Sequence, residues 1–152
     1  AQMAAWTDSN SAGQQMITAT RARIEASVQQ LQPRLAGNSA LFLSSNGIAF
    51  GSSTLQDDFL RSLGLRNVAA EAGLSGPAPL SLELLLQAAP DFIISEARGE
   101  LDSQLAHPFL QHAALQRLNP RRLNLPDRWF DCAGPWLADA YVSIATQLDA
   151  AP

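Results

Sequence analysis

Apolar positions set out the chain as alternating helices and strands. Ile17, Ile24, Val28, Leu31 and Leu35 follow one another at helical spacing and mark one stripe. Asp8, Ser9, Asn10 and Ser11 offer caps before it. The stripe predicts a helix over about residues 11–32, about 30 Å long, ended by Pro33 and Gly37. Ala40, Leu41, Phe42, Leu43 and Ser44 read as a buried strand, followed by a turn at Ser45, Asn46 and Gly47. Ile48, Ala49 and Phe50 extend that loop or add a short strand. Thr54 with Asp57 forms a capping signature, and Leu55, Phe59, Leu60 and Leu63 supply one helix face before the Gly64 stop.

Residues 67–70 read as a short extended piece and residues 73–79 as a Gly/Pro-rich loop. Ser81 caps a helix that turns Leu82, Leu85, Leu86 and Ala89 inward and Glu83 and Gln87 outward; Pro90 breaks it. Phe92, Ile93 and Ile94 form a continuous apolar run, as in a sheet covered on both faces. Residues 101–118 read as mostly helical with a break at His107 and Pro108, and residues 122–125 as a strand. Trp136, Leu137, Ala140, Tyr141, Ile144 and Leu148 mark a last amphipathic helix. Strands alternating with helices predict an α/β fold: a Rossmann-like three-layer lobe with a mostly parallel sheet of about four to five strands, preceded by a long connecting helix. The division expected is 1–36 for the helix and 37–152 for the lobe. In such sheets ligands sit beyond the carboxyl ends of the strands, which points to residues 45–53, 95–100 and 127–136.

Composition narrows the picture. The 152 residues are 47% apolar and 16% charged, enough for a core without disulfides or metals. Net charge is -4 and all ten basic residues are arginine, with Arg121 and Arg122 the densest pair, so nucleic acid is not an expected partner. Cys132 stands alone, so no internal disulfide can form. The N-terminus shows no signal-peptide pattern. With no lysine, a P-loop in its usual form is excluded, and Ser52 and Ser53 do not sit in a nucleophile elbow. His107, His112, Glu100 and Asp102 match no metal-ligand spacing, so neither metal nor cofactor is expected.

The order of segments carries a resemblance. Gly51, Ser52, Ser53 and Thr54 precede a helix that ends in Leu63, Gly64, Leu65, Arg66, Asn67, Val68 and Ala69. Pro79, Leu80, Ser81, Leu82 and Glu83 follow, then Ala89, Pro90, Asp91, Phe92, Ile93 and Ile94, with His107-Pro108-Phe109 and Gly134-Pro135-Trp136 closing the set. This succession resembles the C-terminal half of the periplasmic substrate-binding proteins that serve ABC importers of the iron-siderophore, haem and vitamin B12 type. The resemblance implies two lobes joined by a long helix and a ligand gripped between them. That ligand would be a ferric siderophore, haem or corrinoid. It implies no catalysis and a periplasmic location. It also implies a surface glutamate that docks onto arginines of an inner-membrane permease, a position Glu83 matches. On this reading the N-terminal lobe, and with it half the cleft, is missing from these residues.

Each candidate has an ordinary alternative. Ser45, Asn46 and Phe50 match a cleft-lining stretch or form a plain turn. Arg98 could grip an anionic ligand through its planar guanidinium or lie solvated in a loop. Trp129 and Phe130 suit a flat, bulky ligand, with core packing as the alternative; Trp136 is assigned to the core. Asp131 is a hydrogen-bond acceptor candidate. Glu83 otherwise is a solvated first-turn acid favoured by the helix dipole. Two other functions compete: a Cys132/histidine hydrolase or transferase on a Rossmann-like fold, and a dimerising interaction domain using Ile17, Ile24, Val28 and Leu31.

Overall fold

A computed structural model of the chain describes residues 10–44, 47–97 and 112–150. The stripe becomes helix α1 (Asn10–Leu35), then β1 (Ser39–Leu43), β2 (Ile48–Phe50), α2 (Leu55–Ser62), β3 (Arg66–Asn67) and α3 (Val68–Glu71). After these come β4 (Pro77–Pro79), α4 (Leu82–Ala88), β5 (Phe92–Ala97), α5 (Ala113–Leu118), β6 (Arg121–Pro126) and α6 (Leu137–Ala150). A 3-10 turn, Asp127–Trp129, follows β6.

The sheet runs β4-β2-β1-β5-β6, with β3 paired to β1. β1, β3, β5 and β6 are parallel, and β2 is antiparallel to both β1 and β4. Fold class and long first helix therefore follow the sequence expectation; the six strands include two short ones it did not resolve. β4 carries Pro77 and Pro79, which read as loop. It survives as a strand because it lies at the sheet edge, where missing donors are tolerated. Residues 68–71 form a helical turn instead of an extended piece, because the Asn67 side chain accepts from the Ala69 amide and caps it.

α1 runs two residues past Pro33, which costs only one hydrogen bond in the last turn. The Ala36 amide still reaches the Gln32 carbonyl at 2.9 Å, and Gly37 ends the helix at φ +86°. Ala89 does not face the core: it is exposed in the left-handed conformation that closes α4. Of the predicted helix over 101–118, only α5 lies within the described residues.

Two cores sandwich the sheet. One face packs Phe42, Ile94, Leu123 and Leu125 against α1, α2 and α6 through Leu31, Leu35, Phe59, Leu60, Tyr141 and Ile144. The other packs Leu41, Leu43 and Ile93 against Val68, Leu85 and Leu115. The α1 stripe is used here. Leu31 is fully buried and Ile24 and Val28 pack on the same core, which removes them from a dimer surface. α1 and α6 lie parallel, since Arg23 pairs with Asp139 at 2.8 Å and Arg34 with Asp149 at 2.7 Å. That register carries the first part of α1 roughly 15 Å beyond the start of α6. No helix among the described residues is long and apolar enough to cross a membrane.

Candidate functional site

The parallel strands β1, β5 and β6 end at one edge of the sheet, its carboxyl edge, where the 3-10 turn after β6 begins. α2, α4 and α6 also begin there. Phe50, on the antiparallel β2, lies one step inside that edge, level with Phe42 of β1. Its carbonyl accepts from Asn67 Nδ2 at 2.9 Å, and its ring meets Phe42 edge-on at 5.8 Å. Asn67 Nδ2 also donates to Asp57 at 2.9 Å, and Arg61 pairs with the other Asp57 oxygen. This network holds β2, β3 and α2 in one geometry, so the half-buried Phe50 is presented on a rigid base. Close by, the buried Gln56 donates to Glu96 at 2.9 Å. Neither residue stood out in the sequence; a polar residue at the end of an apolar strand was the available signal.

The aromatics after β6 divide differently from the sequence expectation. Phe130 is 6% exposed and packs against Phe42 at 4.8 Å and Phe59 at 5.3 Å, so it belongs to the core and offers no ring face to a ligand. Trp129 is half-buried on the same core, with the Arg128 guanidinium 5.8 Å above its ring. Asp131 is exposed at this edge. Trp136, assigned to the core, is instead 42% exposed. It precedes α6, and its indole N–H donates to the Cys132 carbonyl at 2.9 Å. Cys132 is exposed too. Ser45, Asn46 and Arg98 lie outside the described residues.

Glu83 stands in the first turn of α4, exposed and without a partner among the described residues. The Ser81 hydroxyl caps that helix, accepting from the Leu84 amide at 3.2 Å. The sheet register places it: Leu43 pairs with Ala49 and Ile48 with Pro79, so the chain enters α4 level with the end of β1. Glu83 is thus at the carboxyl edge.

Two other features lie elsewhere. An open recess of about 440 Å³ is lined by Arg66, Val68, Glu71, Ala72, Leu84, Gln87 and Ala88, toward the amino edge, and is walled by the Arg66–Glu71 ion pair. His112 caps α5, its Nδ1 accepting from the Ala114 amide at 3.2 Å. No hydrogen bond among the described residues joins it to Cys132, and no group of three or more His, Cys, Asp or Glu among them could hold a metal ion.

An α/β lobe with a long leading helix fits the architecture of one lobe of a binding protein. The family model for periplasmic binding proteins matches residues 1–120, and the chain belongs to that family. Solved structures share the fold. The periplasmic heme-binding protein RhuT from Roseiflexus sp. RS-1 superposes with a TM-score of 0.76 at 22% identity, over 95% of this chain and 58% of that one. A periplasmic heme-binding protein from Pseudomonas aeruginosa gives 0.76 at 19% identity, over 99% and 58%. An ABC-type Fe3+-hydroxamate transport system protein from Saccharomonospora viridis DSM 43017 gives 0.75 at 22%, over 98% and 54%. The chain therefore spans little more than half the length of these structures. No curated protein matches it.

Proposed function

We propose that the chain acts as the C-terminal lobe, with the inter-lobe helix, of a periplasmic solute-binding protein. That protein captures a ferric siderophore, haem or corrinoid between two lobes and delivers it to an ABC permease. The observation that carries the reading is Glu83. It is an exposed, unpartnered acid held in a capped first turn at the carboxyl edge, where an arginine of a docking permease can reach it. The projection of α1 past that edge supports its role as the connector to a second lobe. On this reading Phe50, Trp129 and Asp131 are assigned to the lobe's side of the cleft, with Phe130 behind them in the core. The reading involves no catalysis.

The test uses the full-length protein with its permease reconstituted in vesicles. Glu83→Arg places like charge against arginine. It is expected to lower ligand-driven ATP hydrolysis by more than tenfold and to leave ligand affinity within twofold. Unchanged hydrolysis would contradict docking through Glu83.

A further inference from the structure

We infer that the Gln147 side chain is a built-in guard on the outer edge of β6: it takes the place of a neighbouring strand and so keeps a second copy of this chain from pairing there. The inference concerns self-association and stands independently of the solute-binding reading.

β6 ends the sheet order, beyond β5. An edge strand presents backbone donors and acceptors that a further strand can take up. The Arg121 amide points toward β5, donating to the Asp91 carbonyl at 2.8 Å. Backbone groups alternate in direction along a strand. Arg121, Leu123 and Leu125 therefore turn theirs to β5, and Arg122, Asn124 and Pro126 turn theirs outward. Pro126 has no N–H to offer.

Asn124 is the middle residue of the outward set, and both its backbone groups are taken by one side chain. Its amide donates to Gln147 Oε1 at 2.9 Å, and Gln147 Nε2 donates to its carbonyl at 2.7 Å. This is the reciprocal pair of bonds that two facing residues of antiparallel strands exchange. The carboxamide is held in place for it. Gln147 Nε2 also donates to the Ser143 hydroxyl at 3.0 Å, one turn earlier on α6. Arg121 Nη2 donates to the Leu148 carbonyl at 2.8 Å, which ties the last turn of α6 to the start of β6.

The opposite edge selects the partner strand. In β4 the Gly76 amide and carbonyl both bond toward β2, so Pro77 and Pro79 face outward, and neither has an N–H. A second copy's β4 would leave the Asn124 carbonyl unanswered. Its β6 would answer both groups, in a two-fold antiparallel pair centred on Asn124. There the two Asn124 residues exchange the bonds each now makes with Gln147. Arg122 stands opposite Pro126, so like charges do not face each other.

The test is sedimentation velocity of the full-length protein and its variants. Gln147→Ala opens the edge and should raise the dimer fraction about fivefold over the parent at about 100 μM. Adding Asn124→Pro removes the edge amide at a position where proline is tolerated, and should return the dimer fraction to the parent level. Association through a loosened core would persist in that double variant, so it separates the two causes. Circular dichroism and thermal melting report folding. If either variant does not fold, amide exchange in the parent decides. The Asn124 amide, though outward on an edge strand, should exchange at least about tenfold more slowly than an open loop amide. A folded Gln147→Ala with the parent's dimer fraction, association that survives Asn124→Pro, or an Asn124 amide exchanging as fast as an open loop would each overturn the guard.

Discussion

The two edges of the sheet are closed by different means. At the amino edge, Ser39 and Asp91 lock β1 to β5. The Ser39 amide and hydroxyl donate to the Asp91 carboxylate at 2.8 and 2.7 Å, and the Asp91 amide returns a bond to the Ser39 hydroxyl at 3.1 Å. The Arg121 amide donates to the Asp91 carbonyl at 2.8 Å and brings β6 into the same corner. Polar groups there answer one another. At the carboxyl edge, Glu83 stands without a partner among the described residues and Trp136 is held open to solvent. Groups satisfied within the chain serve the fold. Groups fixed in place yet left uncovered are the ones available to a partner.

Substitutions that separate stability from binding sharpen this contrast, and the largest effect belongs to a residue on the border. Phe130 follows β6 at the carboxyl edge but lies in the aromatic cluster with Phe42 and Phe59. Phe130→Ala is expected to cost about 3–4 kcal/mol of stability in urea unfolding. A loss below about 1 kcal/mol with weakened ligand binding would move Phe130 from the core to the cleft.

Asp91→Ala should cost about 1 kcal/mol and leave ligand affinity unchanged. It deprives the buried Ser39 amide of its acceptor, but Asp91 is exposed enough for water to take its place. A changed affinity would mean the amino edge is coupled to the cleft. The smallest effect is a pH dependence. The Ser39 amide, helped by its hydroxyl, holds the Asp91 carboxyl below its ordinary range. A depressed folded value adds stability above the unfolded pKa, and this share is lost as pH falls through the folded one. The parent should therefore lose stability below about pH 4 more steeply than Asp91→Asn.

Much of the fold was legible because local chemistry and tertiary packing agree. The Thr54 and Ser81 caps, the Gly37 and Gly64 stops and the continuous apolar strands at residues 40–43 and 92–94 each act within a few residues of themselves. β4 was hidden because its prolines signal a loop, and only its edge position makes the pairing possible. The site was less legible. Glu83 was singled out by the family resemblance, while the Ser81 cap signature placed it in an exposed first turn. Trp136 was assigned to the core because large aromatics normally go there; its exposure depends on the close seat of its ring at Gly134 and a bond to the Cys132 carbonyl, neither of which has a sequence pattern. Gln56 and Glu96 meet only when α2 folds against β5.

The most direct measurement is hydrogen–deuterium exchange of the full-length protein with and without bound haemin, cyanocobalamin or ferrioxamine B, whichever binds most tightly. The expected result is slowed exchange at residues 48–50 and 127–137, with no change at residues 66–72 and 84–91. Protection concentrated at residues 66–72 and 84–88, around the recess beside Arg66 and Glu71, would contradict the assignment of ligand binding to the carboxyl edge.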